Sequence, residues 1–226
     1  MTGHVDDFAQ WTGDLAAFWR EWAAGDERPR VLAGHSMGGH LALRAVADGL
    51  VRPDALVLSA PMLGFLPAWL PLPLQRTWAG AMGRIGDPRR AAWKWSEKPG
   101  EIPPNRVELL THDQARYADE LWWRKVRPEL AMGTGSWGWI AAALSSMAVL
   151  GQPGKLEALD VPVLLLAAAH DRLVSFSAIR RAAARLPNSE LAVFGPEARH
   201  ELLRESDPVR DKALAMIDRF LDRIAT

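Results

Sequence analysis

Cysteine is absent from this chain, and so is any excess of charge of one sign. Without cysteine there can be no disulfide, no thiolate zinc site and no cysteine nucleophile, and the redox compartment is left open. The 27 basic and 27 acidic side chains cancel, so no whole-molecule field attracts nucleic acid or an anionic membrane. Nucleic acid is therefore not an expected partner.

Long hydrophobic runs are also missing. The first residues, 1–7, carry no basic cluster followed by an apolar stretch, and no run of about 18 apolar residues occurs. We expect a chain that is neither exported by an evident signal nor membrane-spanning, with the cytoplasm as its default location. With 226 residues, of which 49% are hydrophobic, we expect one main packed domain that carries an insertion.

Short apolar segments alternate with helical patterns along the chain. Strands are predicted at 30–33, 55–60, 161–169 and 191–194. The first three lack polar alternation, so we expect them to be buried on both faces. The first helix is expected to present Phe8 to Trp22 on its apolar face and to close around Gly25, and the last should have Asp207 as its cap and Pro208 in its first turn. This alternation predicts an α/β fold with a mostly parallel sheet flanked by helices.

The stretch 62–150 differs in composition from the rest of the chain. Prolines interrupt it, and eight tryptophans crowd it: Trp69, Trp78, Trp93, Trp95, Trp122, Trp123, Trp137 and Trp139. We interpret it as an inserted helical cap. The chain is thereby divided into a first part of the core at 1–61, the cap at 62–150 and a second part of the core at 151–226.

Two helices are predicted within the cap. Thr111 with Gln114 three residues later is a capping-box pattern, which opens a helix that Pro128 limits. The second cap helix is expected from Trp137 to Leu150. A tryptophan-rich cap suits an amphiphilic substrate, although any single tryptophan is more simply explained as part of the core of the cap.

Residues 34–38, Gly-His-Ser-Met-Gly, match the nucleophile-elbow pattern. In an elbow, a strained turn between a strand and a helix lifts a serine hydroxyl above the end of the sheet. The bare pattern is weak because glycine is common, and a phosphate loop or an ordinary turn is the alternative. Here an apolar strand stops directly before it and a helix opens at Met37, as the motif requires. We therefore predict Ser36 as the nucleophile and Gly34 and Gly38 as elbow glycines.

A serine hydroxyl at neutral pH needs a base within hydrogen-bond reach, held in the right tautomer by a carboxylate. In an elbow-type site the acid follows the serine along the chain, and the histidine comes last. Asp171 comes directly after the strand at 161–169, and His200 follows the last strand. We predict Ser36, Asp171 and His200 as a catalytic triad. The alternatives are that Asp171 is a helix cap and that His200 is an exposed loop histidine. His170 is the strongest rival base.

An oxyanion formed by attack on an ester requires N–H donors. The backbone N–H of Met37, at the start of a helix, is one predicted oxyanion-hole donor, and a second should come from a loop after an earlier strand. No such loop precedes the elbow, so we expect the N-terminal strands of the fold to be missing and Met1 to be a false start. His200-Glu201 resembles the start of a zinc-binding helix, but Arg204 replaces the second histidine, so neither a metal nor a cofactor is expected.

Three segments around the predicted triad resemble a known family. They read Gly-His-Ser-Met-Gly-Gly at 34–39, His-Asp-Arg-Leu-Val at 170–174 and Ala-Arg-His-Glu-Leu-Leu at 198–203. They resemble the monoacylglycerol lipase and lysophospholipase-like branch of the α/β-hydrolases, also grouped with serine aminopeptidases. Leu-Thr-His-Asp at 110–113 and Trp-Gly-Trp at 137–139 are similar to bacterial lysophospholipase-like members. The resemblance covers nearly the whole chain and implies a triad under a cap that admits an acyl glycerol or a lysophospholipid.

The expected function is hydrolysis of a small amphiphilic ester through an acyl-enzyme on Ser36, with water activated at His200. Transient contact of the cap with a membrane is a further hypothesis. Thioesterase and aminopeptidase activities use the same triad, and an aminopeptidase would need acidic residues near the pocket. The candidates are Glu97, Glu101 and Glu108. A non-catalytic remnant, a complementing half and a dimer formed through an exposed edge strand also stay open.

Overall fold

The fold is built on a parallel sheet of four strands. The computed structural model describes residues 2–25, 28–93, 106–131 and 133–224. Within them the strands are β1 (Val31–His35), β2 (Ala55–Ser59), β3 (Val163–Ala168) and β4 (Ser189–Phe194). Their order in the sheet follows their order in the chain, and all three pairs are parallel. The predicted α/β class with a parallel sheet is confirmed.

Helices cover both faces of this sheet. In the described ranges they are α1 (Phe8–Trp22), α2 (Met37–Ala47), α3 (Leu72–Arg84), α4 (Val107–Leu110), α5 (Gln114–Val126), α6 (Trp137–Leu150), α7 (Phe176–Ala183) and α8 (Asp207–Asp222). The bounds of α6 are those predicted from the sequence, whereas α1 ends at Trp22, before the predicted end around Gly25. The strands differ from prediction by two residues or fewer at each end. Among the described residues, no helix is both long enough and apolar enough to cross a membrane.

The alternate residues of β3 divide the core into two layers. Val163, Leu165 and Ala167 pack with α1, α2, α6 and α7, whereas the residues between them pack against α8. Every residue of β3 is buried, as expected of a strand with neighbours on both sides. The prediction that the first strand is also buried on both faces is wrong. Among the described strands β1 pairs only with β2, and this edge position leaves two of its residues exposed.

Two predicted helix starts are wrong. The cap of α5 is Asp113, whose side chain accepts a hydrogen bond from the N–H of Arg116 at 3.0 Å. Thr111 does not cap this helix: its hydroxyl donates to the carbonyl of Arg204 at 2.8 Å and accepts the N–H of Asp113, which precedes the helix, at 2.9 Å. At α8 the cap position belongs to Ser206, and Asp207 is the first helical residue. In α5 a contact with a distant residue overrides the local pattern.

The stretch between β2 and β3 holds α3 to α6. Helix α6 packs into the core with α1 and α2 through buried residues that include Leu144, Met147 and Leu150. The division of the chain at residues 61 and 150 stays a prediction, as does the cytoplasmic location. Trp95, Glu97 and Glu101 lie outside the described residues.

Candidate active site

Ser36 occupies the turn between β1 and α2 in a strained backbone conformation. Its φ is 51° and its ψ is −117°, a combination that persists only where the surrounding structure enforces it. Two hydrogen bonds do so: the N–H of Ser36 donates to the carbonyl of Ser59, and the N–H of Met62 donates to the carbonyl of Ser36, both at 2.9 Å. The turn is thereby tied to the end of β2, which holds the serine over the carboxyl edge of the sheet.

The two predicted elbow glycines differ in what surrounds them. A Cβ at Gly34 would lie 2.6 Å from the carbonyl oxygen of Gly38, closer than real Cβ contacts come. A Cβ at Gly38 would meet no described atom within 4 Å. Gly34 is therefore required for the first turn of α2 to lie against β1. Gly38 contributes its backbone to this approach, and its own missing side chain is not required.

Asp171 and His200 are joined by a hydrogen bond. His200 Nδ1 lies 2.7 Å from Asp171 Oδ2, and the two side chains are 5% and 1% exposed. The other carboxylate oxygen accepts the N–H groups of Leu173 at 2.7 Å and Val174 at 3.1 Å. An ionised carboxylate only accepts hydrogen bonds, so Nδ1 is the donor of this bond, and a neutral imidazole held in this way offers the lone pair of Nε2. This is the tautomer that a general base for serine requires.

Ser36 and His200 line the same cavity, whose volume is about 520 Å³. Arg172 and Gln75 are the other polar side chains on its described wall. The rest of that wall is apolar and includes Phe65, Leu70, Trp78, Trp93, Trp139 and Leu144. The structure thus brings the predicted nucleophile and base together at an apolar cavity, with the predicted acid behind the base. The catalytic roles of the three residues stay predictions.

His35 adds a contact that was not predicted from the sequence. Its ring centroid lies 4.7 Å from that of His200, and its Nδ1 lies 3.1 Å from the carbonyl oxygen of Ser59. Burial of the imidazole and then the neighbouring His200 lower the pKa of His35 to about 4. Since His35 also keeps an exposed surface on the edge strand, solvent weakens this effect. An uncharged His35 does not oppose a positive charge on His200.

His40 is fully buried on α2, one helical turn beyond the elbow. Its Nε2 lies 2.7 Å from the hydroxyl of Ser146 on α6. Burial, followed by the charge of Arg44, lowers the pKa of His40 to about 4. The rival base His170 is exposed at the end of β3, and neither histidine is on the described wall of the cavity. His40 therefore links two helices behind the elbow.

The oxyanion hole has one predicted donor, the N–H of Met37. Met37 is the first residue of α2, and N–H groups of a first helical turn have no partner within the helix. The described residues before β1 form α1 and a segment without helix or strand, so none of them is a strand-to-helix loop that would supply the second donor. No group of three potential metal ligands occurs in the described ranges, and Arg204 instead pairs with Glu120 and Glu201.

Comparisons with known proteins identify the family of the chain. A family model described as "Serine aminopeptidase, S33" matches residues 1–207. The chain is 30% identical over 233 residues to lysophospholipase L2 of Escherichia coli (strain K12), covering 98% of this chain and 66% of that protein. It therefore spans about two thirds of the length of this curated relative.

Solved structures show a similar fold. A soluble variant of monoglyceride lipase from Saccharomyces cerevisiae, in complex with a substrate analog, aligns with a TM-score of 0.74 and 20% identity, over 98% of this chain and 71% of that one. A monoacylglycerol lipase of Paleococcus ferrophilus aligns with a TM-score of 0.69 and 20% identity, over 97% and 77%. At this identity the alignments establish the fold alone.

Proposed function

Because the chain belongs to the serine aminopeptidase S33 family of α/β-hydrolases, we propose that it hydrolyses carboxylic esters of lipid-like substrates through an acyl-enzyme on Ser36. One observation carries the proposal: Ser36 and His200 line one apolar cavity, and Asp171 holds His200 by a hydrogen bond of 2.7 Å. A nucleophile, a base and an orienting carboxylate beside a lipid-compatible cavity are the parts that acyl transfer requires.

In the proposed mechanism, His200 Nε2 accepts the hydroxyl proton of Ser36 as the serine oxygen attacks the ester carbonyl. Asp171 stabilises the imidazolium that forms, and the N–H of Met37 donates to the oxyanion of the tetrahedral intermediate. When that intermediate collapses, the proton passes from Nε2 to the departing alcohol, leaving an acyl ester on Ser36. Water then attacks this ester, with His200 again as the base, and releases the fatty acid.

The apolar wall and its surroundings support a lipid-like acyl chain as the substrate group. Apolar lining favours a chain that leaves water on binding. Near the cavity, Trp69 is 80% exposed, Leu74 57% and Trp78 58%, and exposed apolar side chains of this size are suited to a lipid surface. The similarity to lysophospholipase L2 supports a glycerol ester as the substrate, and the exposed apolar side chains support transient contact of this region with a membrane.

An aminopeptidase receives less support from this cavity. Recognition of a substrate amine calls for a carboxylate near the scissile bond, and the described wall contains no aspartate or glutamate. Glu108 is exposed on α4 and is not part of that wall. One observation favours the non-catalytic alternative. The elbow strand β1 has one neighbour in the described sheet, and the oxyanion hole has one predicted donor.

A panel of three substrates tests the proposal. Release of fatty acid from a lysophospholipid and from a monoacylglycerol would be measured beside cleavage of an aminoacyl anilide. We expect turnover of at least one ester, loss of that turnover in Ser36→Ala, and full turnover in Ser145→Ala, which changes an exposed serine on α6. Anilide cleavage alone would replace the proposal by an aminopeptidase, and a folded chain that cleaves none of the three would favour the non-catalytic alternative.

A further inference from the structure

Hydrogen bonds hold the backbone of the loop that carries His200 on both sides of this residue. One ends within the loop, and the other ends on the segment 110–113, which leads into α5. On one side, the N–H of Arg199 donates to Glu205 Oε1 at 2.9 Å. On the other side, the N–H of Glu201 donates to the carbonyl of Leu110 at 2.8 Å. The backbone is therefore held directly before and directly after the proposed base.

Glu205 joins the two segments through one buried carboxylate. The residue is 0% exposed. Besides Arg199, Oε1 binds His112 Nδ1 at 3.0 Å, while Oε2 accepts the N–H of His112 at 3.1 Å and that of Ser206 at 3.3 Å. Since Oε1 can only accept while Glu205 is ionised, the ring of His112 donates from Nδ1. A buried carboxylate is costly unless donors surround it, and four donors surround this one.

The proposed mechanism makes no use of this carboxylate. We propose that Glu205 and His112 are a positioning pair for His200, fixing the backbone at Arg199 so that the imidazole stays directed from Asp171 toward Ser36. The inference rests on the proposed function, because it assigns His200 as the base. A displacement of a catalytic group by about 1 Å can cost about 100-fold in rate, so a carboxylate that holds the neighbouring residue has a direct effect on turnover.

Other bonds hold the same interface without the carboxylate of Glu205. Thr111 donates to the carbonyl of Arg204 at 2.8 Å, and the guanidinium of Arg199 donates to the carbonyl of Thr111 at 3.1 Å. Arg116 also donates to the backbone carbonyl of Glu205. The side chain of His112 is 38% exposed, so its removal leaves no closed cavity. Variants of the pair are therefore expected to stay folded while the backbone around His200 loosens.

The test follows the ring nitrogens of His200 by ¹⁵N NMR, with the signals assigned by their loss in His200→Ala. In the wild-type protein the two nitrogens should differ, because Nδ1 carries the proton and Nε2 does not. We expect the two signals to move toward each other in Glu205→Gln and in His112→Ala. They should keep their separation in His112→Asn, whose amide can donate in place of Nδ1, and in Glu197→Gln, a matched change of an exposed glutamate on the same loop.

The kinetic arm uses whichever ester the protein turns over. We expect kcat to fall about tenfold to 100-fold in Glu205→Gln and His112→Ala, with KM within about twofold of wild type, because orientation of the base matters in the transition state and not in substrate binding. If Glu205→Gln does not fold, the two His112 variants decide the matter. Unchanged ring signals in folded His112→Ala would overturn the proposal, and so would an unchanged kcat in an active protein. Absence of turnover in the wild type would contradict the proposed function alone, since the ring signals require no turnover.

Discussion

The acid–base half of the candidate site, Asp171 and His200, is supported differently from the nucleophile half, Ser36 and Met37. Asp171 follows β3, which has a partner strand on each side, and its carboxylate accepts three hydrogen bonds. Ser36 follows β1, which pairs only with β2 among the described strands. One half is therefore held by many contacts within the described chain, while the other depends on one strand pair and a strained turn.

The two halves also differ in whether neighbouring residues or contacts between separate segments determine their structure. The elbow is specified by a few neighbouring residues, because Gly34 is the position where a side chain would collide with the helix that follows. The proposed base His200 is also held by a distant segment. The carbonyl of Leu110 accepts the N–H of Glu201, and Glu205, which accepts the N–H of Arg199, also binds His112. Changes in each half should consequently have different effects.

The largest expected effect comes from breaking the acid–base half with Asp171→Asn. The amide would place an N–H group where Oδ2 now accepts the proton of His200 Nδ1, so the imidazole would hold the wrong tautomer. We expect kcat for the accepted ester to fall about 10⁴-fold, with the circular dichroism spectrum unchanged. Asp211→Asn, a change at an exposed residue of α8, should keep full activity, and a loss of less than about tenfold for Asp171→Asn would contradict the assigned role.

Gly34→Ala should destabilise the nucleophile half without changing the acid–base half. The new Cβ would lie 2.6 Å from a backbone oxygen, which no side-chain rotation relieves, so we expect a loss of about 3 kcal/mol in the free energy of unfolding in urea. Gly38→Ala is the matched control. It meets no described atom within 4 Å and should be neutral or stabilising by about 0.5–1 kcal/mol, because alanine favours a helix. Equal losses in both variants would refute this reading of the elbow.

Lowering the pH should lower the free energy of unfolding, because His40 is buried behind the nucleophile half. Its pKa is about 4 in the folded protein against 6.5 ordinarily, so between these values the unfolded chain binds a proton that the folded one does not. Stability is therefore complete above pH 6.5 and falls as the pH is lowered toward 4. Urea unfolding at pH 7 and pH 5 should differ by about 2 kcal/mol more in wild type than in His40→Gln. His170→Gln should follow wild type, and a His40→Gln protein that does the same would contradict the prediction.

The smallest expected effect concerns the choice of substrate. Arg172 follows Asp171, is exposed, and is a cation on the described wall of the cavity, which suits an anionic head group. Arg172→Gln should lower kcat/KM for a lysophospholipid about fivefold relative to a monoacylglycerol, since an exposed ion pair contributes about 1 kcal/mol. Arg180→Gln, an exposed change on α7 outside the cavity, should leave the ratio unchanged. Equal effects of Arg172→Gln on both substrates would exclude head-group recognition by this residue.

Local patterns were sufficient for most of the fold. Apolar runs located all four described strands, and continuous hydrophobicity indicated burial on both faces correctly for β2 and β3. The order of serine, acid and histidine placed Asp171 and His200 next to each other because the carboxyl ends of parallel strands share one edge of the sheet. These features depend on residues close together in sequence or on a known topology.

Features that depend on distant contacts were missed. Thr111 was predicted as a helix cap, yet its hydroxyl donates to Arg204, 93 residues further along the chain. The contact of His35 with His200 and the burial of Glu205 also arise only when separate segments meet. No pattern in their own neighbourhoods distinguishes these residues from exposed polar ones.

The most direct test of the central claim is the intact mass of the purified chain after exposure to a fluorophosphonate probe. We expect a single adduct on wild type and none on Ser36→Ala or His200→Ala, with all three proteins folded by circular dichroism. Such a result would mean that the nucleophile and the base work together in this chain. A folded wild-type protein that forms no adduct, or a His200→Ala protein labelled as fast as wild type, would contradict the account.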